Sequence, residues 1–345
     1  MTNYELPTSD DRLIWDTWLS IHYLPAVTVA DEMGIFRSLA DAPATAEDLA
    51  TRLKYDRRTT VAMLRLLAAR DFLTLRLGVY QLTDPTRLYL LQDSPFYWGH
   101  MLGRREGIHD TLKQRLLGQS PRGRPGADGE ILETAGSSGS WAAGDVDMQR
   151  ARRVAAAMQS HSLPAAIGAA RNGDFGGVTR LLDVGGGSGC FAIALARQHP
   201  SLRCSIMELP AMCEVAQEYI DAGGVADRVD TVAVDMFRQT WPQGYDALFF
   251  SNVYHDWNFE TCEWLTQQAF DVLLAGGRLY LHEMLLDDDG GGPVTAASFS
   301  MLMLGTQGQQ FTLPELKTML EGAGFSDVTA THTYGYYSLT VGVKP

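Results

Sequence analysis

Four apolar runs in this chain end in residues able to bind or move charge. The first, Leu-Leu-Asp-Val-Gly-Gly-Gly-Ser-Gly at 181–189, ends in a glycine turn whose backbone must adopt positive φ and approach a bound molecule more closely than a Cβ permits. Its spacing of Gly185, Gly187 and Gly189 is not the G-x-G-x-x-G of dinucleotide dehydrogenases, and by itself it also fits a tight turn that binds nothing. Glu208 ends the next run, nineteen residues after Gly189, where a carboxylate can accept hydrogen bonds from both hydroxyls of a ribose. Val234-Asp235-Met236-Phe237 closes a third run: a short acid for an adenine amino group and an apolar residue to cover its ring, or a plain turn. The fourth ends in Tyr254-His255-Asp256-Trp257. An imidazole of ordinary pKa about 6.5 can take a proton near neutral pH, while a single histidine at a strand end also serves as a structural hydrogen-bonder.

Strands must present these stretches and helices must cover them. Residues 180–184, 203–208, 229–234, 246–251 and 277–283 read as strands, and 189–199, 211–222 and 260–274 as helices. That alternation predicts an α/β, Rossmann-like domain over 145–345, doubly wound, with ligands at the carboxyl ends of its central strands. All four stretches fall at such ends.

The N-terminal part has a different pattern. Apolar residues between 12 and 39 recur at helical spacings, with Pro25 marking a break or kink. A Thr-Ala-Glu-Asp start at 45–48 predicts a capped helix, 56–70 a second, and 72–82 a short hairpin around Gly78. Helix, turn, helix and two-stranded wing predict a mainly helical winged-helix domain over 1–100, a shape used for DNA binding or for dimerisation. Over residues 1–90 there are ten Lys or Arg and twelve Asp or Glu, 10 − 12 = −2, which favours dimerisation over a groove-reading role. Arg57, Arg58, Arg65 and Arg70 read either as a basic stripe or as a solvated helix face. Residues 101–144 form a connection, with a Gly-, Pro- and Ser-rich loop at 118–141.

Composition bounds the function. The chain has 345 residues, 46% of them hydrophobic, enough for one large core and a smaller one. A net charge of −13 argues against nucleic acid as a partner. The polar start and the absence of any eighteen-residue apolar run predict a cytoplasmic protein without membrane association. Cys190, Cys204, Cys213 and Cys262 show no CxxC pairing and predict core thiols, with no zinc site or disulfide framework.

Taken together, Asp-Val-Gly-Gly-Gly-Ser-Gly, Met207-Glu208-Leu209-Pro210, Asp235-Met236-Phe237, His255-Asp256-Trp257 and Gly276-Gly277-Arg278-Leu279 resemble the class I S-adenosylmethionine-dependent small-molecule O-methyltransferases of plant and bacterial secondary metabolism. The winged helix is similar to their dimerisation domain. The resemblance implies S-adenosylmethionine as cofactor, S-adenosylhomocysteine as product, no metal, and a homodimer joined through its N-terminal helices. It implies that Gly185 and Gly187 hold the methionine part, with Asp183 supporting the turn, and that Glu208 and Leu209 lie at the ribose. Asp235 and Met236 are implied at the adenine, with Asp256 and Trp257 alongside, and Ser251 stands where plant members have a cofactor-contacting lysine. His255 is implied as general base toward an acceptor hydroxyl, Glu283 as the acid holding its other nitrogen.

One departure from the pattern concerns a second supporting acid, followed in the family by an Arg-Thr pair. Gln310-Phe311-Thr312 stands there, and an amide can position a group but cannot offset an imidazolium charge. Gln310 is therefore retained as a catalytic-site residue of altered chemistry. Met158, His161, Phe299, Met301, Met303 and Phe311 fall in regions that line the family's acceptor pocket, although Met and Phe at such spacing are also ordinary core. The expected reaction is O-methylation of an aromatic or polyketide-like small molecule. C-methylation of an acidic carbon, such as that of an α-keto acid, and a cofactor-binding relative that transfers no methyl group are alternatives within the fold. A ligand-sensing winged-helix regulator is the alternative of another class.

Overall fold

The apolar residues that recur every three to four positions in the N-terminal part are the buried faces of four helices: α1 (Tyr23–Glu32), α2 (Ile35–Asp41), α3 (Ala46–Leu53) and α4 (Arg57–Ala69). This is a computed structural model, and it describes residues 17, 20, 23–55, 57–102, 146–288, 293, 296, 299, 303 and 307–345. The chain divides into two units, Met1–Arg105 and Glu106–Pro345. Of the expected connection at 101–144, only residues 101 and 102 are described; the loop at 118–141 and nearly all of the stretch before Tyr23 lie outside the described residues.

In the first unit, Thr45 caps α3 by accepting a hydrogen bond from the Asp48 N–H at 3.1 Å, with Glu47 and Asp48 in the positive first turn. Pro25 lies in the first turn of a helix that starts two residues before it, where a missing N–H removes no intrahelical bond. Strands β1 (Leu73–Arg76) and β2 (Val79–Leu82) pair antiparallel from Leu73↔Leu82 to Arg76↔Val79. Leu77 and Gly78 both take positive φ, 50° and 79°, as a two-residue hairpin turn requires. Short helices α5 (Asp84–Tyr89) and α6 (Gly99–Leu102) follow. Leu39, Leu49, Leu64, Leu67 and Leu73 meet in the core of this winged helix. Arg57 pairs with Glu47 at 3.0 Å and the Arg70 guanidinium lies 4.6 Å over the Tyr23 ring, so both are committed locally.

The second unit begins with α7 (Met148–Asn172), capped by Asp147, and continues with β3 (Arg180–Val184), α8 (Cys190–Gln198), β4 (Arg203–Glu208), α9 (Pro210–Gly223), β5 (Val229–Ala233) and β6 (Ala247–Ser251). Then come α10 (Phe259–Val272), β7 (Arg278–Met284), α11 (Leu313–Gly322), β8 (Ser326–Tyr334) and β9 (Tyr337–Val343). The last three were not read from the sequence. The seven strands lie in the order β5-β4-β3-β6-β7-β9-β8, and β9 runs antiparallel to both its neighbours.

Side chains alternate between two cores, as a sheet covered on both faces demands. Leu181, Phe249 and Tyr280 point to one core with Phe175 and Phe191, while Leu182, Val184, Leu248, Phe250 and Leu281 point to the other with Leu265 and Leu316. The four cysteines are buried free thiols, Cys190 and Cys204 in the first core and Cys262 in the second. After β3 the chain moves outward to β4 and β5, then returns to the other flank of β3 as β6. In open α/β sheets such a reversal is where the ligand crevice lies, here at the carboxyl ends of β3 and β6. Among the described residues, no helix is long and apolar enough to cross a membrane.

His282 on β7 is fully buried. Thr333 donates to the Tyr337 carbonyl at 3.1 Å, so its oxygen accepts from His282 Nε2 at 2.9 Å, and His282 Nδ1 accepts from the Ser251 hydroxyl at 3.1 Å. Burial pushes its pKa down to about 3. A folded-state pKa below the unfolded value of about 6.5 makes the neutral histidine's stabilisation complete above 6.5 and lost as the pH falls toward 3, by at most about 1.4 kcal/mol per unit. Urea denaturation of wild type and His282→Gln between pH 7.5 and 4.5 is expected to show a wild-type advantage that shrinks below about pH 6.5. A constant gap would mean that His282 does not stay neutral in the fold.

Candidate active site

β3 delivers the glycine turn. Gly185, Gly187 and Gly189 take φ of 67°, 57° and 78°, and only glycine occupies that region at no steric cost. A Cβ at Gly185 would sit 3.1 Å from Val253 Cγ2, whereas at Gly187 nothing lies within 4 Å, so the turn presents open backbone to the crevice. The Ser188 hydroxyl ties the turn to α7 by donating to Gln159 Oε1 at 2.8 Å. Beneath it, burial pushes the Asp183 carboxyl up to about 7, opposed by a backbone hydrogen bond from Ala192 and reinforced by nearby Glu208. Its Oδ2 atom is buried and has no hydrogen-bond partner among the described residues.

Glu208 ends β4, buried, and its Oε2 accepts from the Leu209 N–H at 2.8 Å. Asp235 follows β5. Its Oδ1 accepts from the Phe237 N–H at 2.9 Å, and its Oδ2 pairs with Arg238 at 2.7 Å. Both oxygens hold the turn that the sequence left as an alternative to a binding role. Met236 is half-buried and its carbonyl accepts from Trp241 Nε1 at 2.8 Å. Trp257 is buried edge to face against Phe237, ring centres 4.7 Å apart. A glycine turn backed by an acid, a strand-end carboxylate and an aromatic-walled turn at three successive strand ends fit the parts of S-adenosylmethionine. Ser251, half-buried at the end of β6, hydrogen-bonds across the β6–β7 pair to His282, its hydroxyl 3.1 Å from Nδ1 and 3.3 Å from the carbonyl oxygen.

His255 lies in a one-turn 3₁₀ helix, Tyr254–Asp256, just beyond β6. Its Nδ1–H donates to Glu283 Oε2 at 2.8 Å, and both side chains are buried. The other oxygen, Oε1, accepts from the Val253 and Tyr254 N–H groups, each at 3.1 Å. This arrangement fixes the tautomer and leaves Nε2 as the acceptor. Burial alone would lower the His255 pKa, but attraction to the Glu283 carboxylate and its hydrogen bond, aided by Asp256, outweigh it and bring the pKa to about 8. Asp256 is itself raised by burial, with attraction to His255 opposing and Glu283 reinforcing.

Phe299 meets the imidazole edge to face at 5.1 Å. His161 on α7 stands within electrostatic reach of His255, and burial, then that neighbour, push its pKa down to about 4. Its Nε2 lies 3.4 Å from Met158 Sδ and its Nδ1 3.3 Å from the Ser162 hydroxyl. Gln310 is almost fully buried and Met303 is buried. Met301 lies outside the described residues. Phe311 is not a pocket wall. It is fully buried in the core beneath, edge to face with Phe259 at 5.2 Å, because its side chain follows the inward face of the segment that starts α11. Among the described residues no group of three or more His, Cys, Asp or Glu side chains is placed to hold a metal ion.

Sequence reasoning missed three contributors. Val253 packs on Gly185, and only its place in the apolar run of β6 hinted at this. Asn252 takes a left-handed φ of 56° at the end of β6, a conformation to which Asn is prone but which its letter alone does not announce. Gly308 packs on the backbone of His255 and Asp256, a contact across fifty residues without a local signal.

Comparison with known proteins agrees with this geometry. Residues 125–326 match the model of the O-methyltransferase domain, and residues 15–92 that of the O-methyltransferase dimerisation domain. The chain is 32% identical over 342 residues to a 3-hydroxy-5-methyl-1-naphthoate 3-O-methyltransferase of Streptomyces sahachiroi, covering 96% of this chain and 95% of that one. It is 26% identical over 325 residues to the N,N-dimethyltransferase OxyT of Streptomyces rimosus, 92% of each chain. Among solved structures it resembles CalO1, a methyltransferase in calicheamicin biosynthesis with S-adenosylhomocysteine bound, with TM-score 0.81 and 25% identity over 99% of this chain and 100% of that one. The winged helix is thus a dimerisation domain joined to a Rossmann-like catalytic domain, and the chain belongs to the S-adenosylmethionine-dependent O-methyltransferase family.

Proposed function

We propose that this enzyme methylates a phenolic hydroxyl of an aromatic or polyketide-like small molecule, as a homodimer, with His255 as general base. The observation that carries the reading is the buried His255–Glu283 pair at the crevice, with Nε2 the acceptor atom and Phe299 beside the ring. The full-length similarity to a hydroxynaphthoate O-methyltransferase supports the acceptor class. When bound, S-adenosylmethionine supplies an electrophilic methyl group with a neutral sulfide as leaving group. The chain's residues do the rest. Glu208 holds the ribose, the backbone of Gly185 and Gly187 lies along the amino-acid part, and Met236 and Trp257 flank the adenine. His255 Nε2 accepts the hydroxyl proton as the oxygen gains its methyl, and Glu283 stabilises the imidazolium that results. A phenol of pKa about 10 is hard to ionise in advance, so proton transfer during displacement is where a base of pKa about 8 acts. His161, held neutral by burial, and Met158 wall the acceptor side with Met303.

A second reading is favoured by Gln310. With an amide where the family pattern has an acid, the site accepts less positive charge, which suits an acceptor that needs little deprotonation, such as an amine or an acidic carbon. Transfer of an isotopically labelled methyl group, read by NMR on the product, separates O-, N- and C-methylation.

With S-adenosylmethionine and a panel of phenols and hydroxynaphthoates, mass spectrometry is expected to show a single added methyl group. His255→Ala should cut kcat roughly a hundred- to ten-thousand-fold while leaving S-adenosylhomocysteine affinity within about twofold. Undiminished turnover by that variant would remove the base from the reaction.

The pH profile is a separate check. Activity should rise with pH up to about 8, where His255 loses its proton. Glu283 raises that pKa, so Glu283→Gln should move the acid limb to lower pH while reducing the plateau roughly tenfold or more. A limb that stays in place would mean that another group titrates.

Calorimetry tests the cofactor cradle. Glu208→Ala is expected to weaken S-adenosylhomocysteine binding by about ten- to a hundredfold, the worth of hydrogen bonds to a charged group. Unchanged affinity would place the ribose elsewhere.

A further inference from the structure

The turn that carries His255 is held from a second side, by the segment from Gln307 to Thr312. At Gly308 this segment lies directly on the His255–Asp256 backbone. A Cβ built there would overlap the His255 carbonyl group and sit 2.6 Å from the Asp256 carbonyl carbon. Real Cβ atoms do not approach backbone so closely, so the contact exists only because residue 308 has no side chain.

Both ends of the segment are pinned. On one side the Asn258 amide donates to Gln307 Oε1 at 3.3 Å, and Asn258 also caps α10, immediately after the His255 turn. On the other, the Leu286 N–H donates to the Phe311 carbonyl at 2.9 Å, and Leu286 pairs with Thr312 in a parallel bridge three residues beyond Glu283. Phe311 is fully buried against Phe259, and Thr312 opens α11 in a reciprocal capping box with Glu315. The strap is therefore anchored on the residues that closely follow the two elements carrying His255 and Glu283. Pressure at residue 308 has little freedom to lift the strap and falls on the turn beneath.

The same turn is tied to Glu283, whose one carboxylate holds both the imidazole, at 2.8 Å, and the Val253 and Tyr254 N–H groups, at 3.1 Å each. A hydrogen bond of that kind weakens steeply with displacement. We infer that Gly308 is a positioning residue for methyl transfer: the strap from Gln307 to Thr312 clamps the His255 turn against Glu283, and the missing side chain at 308 sets how closely the two meet.

This inference rests on His255 acting as the base. In Gly308→Ala, kcat is expected to fall on the order of a hundredfold, the usual consequence of an ångström-scale misplacement. S-adenosylhomocysteine affinity should fall far less than kcat, because the strap presses on the His255–Asp256 backbone whereas Glu208 and the glycine turn are carried by β4 and β3. The acid limb should drop from about 8 toward the ordinary histidine value of about 6.5, as contact with Glu283 loosens. Gln307→Ala adds no bulk and removes one anchor; alone it should lower kcat severalfold with the limb displaced in the same direction. Combined with Gly308→Ala it should recover part of the loss, because the freed strap can yield to the methyl group.

An unchanged rate and limb in Gly308→Ala would overturn the clamp, as would loss of cofactor affinity in step with activity. Rate losses that simply multiply in the double variant would also overturn it. Should Gly308→Ala fail to fold, an undisplaced limb in Gln307→Ala decides against the inference. The His255→Ala experiment is independent: if that variant turns over normally the base assignment fails, whereas a dead His255→Ala with a normal Gly308→Ala leaves the base and removes only the clamp.

Discussion

The active-site half of this molecule hangs on one carboxylate. Glu283 ends up buried at the rim of β7, and both of its oxygens are in use: one accepts a hydrogen bond from His255 Nδ1–H, the other accepts from two consecutive backbone N–H groups of the turn after β6. The side chain that orients the imidazole thus also dictates the backbone path that presents it. A buried carboxylate with those partners removed would be left unpaired, at a cost of about 3–5 kcal/mol. The turn cannot relax away from Glu283 without incurring that cost. This is why a three-residue 3₁₀ turn, which has almost no stability of its own, can serve as a rigid mount.

The sheet order makes the arrangement possible. β6 and β7 are neighbours, and their register sets Ser251 opposite His282, so the next residues along, Asn252 and Glu283, face each other just where the chain leaves the sheet. The left-handed φ of Asn252 turns Val253 and Tyr254 so that their N–H groups point at the carboxylate. His282 anchors the same corner from below. Held neutral by burial, it spends its two nitrogens on Ser251 and Thr333, and so sews β6 to the antiparallel edge formed by β8 and β9. Ser251 thus takes part in holding β6 to β7.

Much of this was legible in the sequence, and the limits have physical causes. Strand ends were readable because a continuously apolar run followed by Gly, Glu, Asp or His marks where a doubly buried strand emerges. Helix starts were readable where a cap announced them, as Thr45 does for α3. Phe311 was misplaced because an aromatic residue near a site has the same letter whether it faces the pocket or the core, and its direction depends on where α11 begins. The antiparallel pair β8 and β9 was missed because β8 alternates between exposed and half-buried positions as an edge strand does, with too few apolar residues to stand out. Gly308 was invisible for a different reason. Its constraint comes from a backbone fifty residues away, and no local pattern encodes a contact of that separation.

Position 310 carries an amide where the pattern implied by family resemblance has a second supporting acid, and the carboxylate in contact with His255 is that of Glu283. With one acid in contact with His255, the pair carries a net charge of −1 when the base is ready and becomes neutral once the base has taken a proton. A second buried carboxylate would make those states −2 and −1, raising the imidazole pKa further and holding more of the base protonated near neutrality. Asp256 reinforces the single carboxylate from the adjoining position, but burial pushes its own carboxyl upward, which limits how much charge it can lend. With His255 as the proposed base, an amide at 310 trades driving force in the proton transfer for a larger fraction of base available at neutral pH. That trade suits an acceptor whose proton is already moderately acidic, as a hydroxyl conjugated to a carbonyl or an extended aromatic system is, more than it suits a simple phenol.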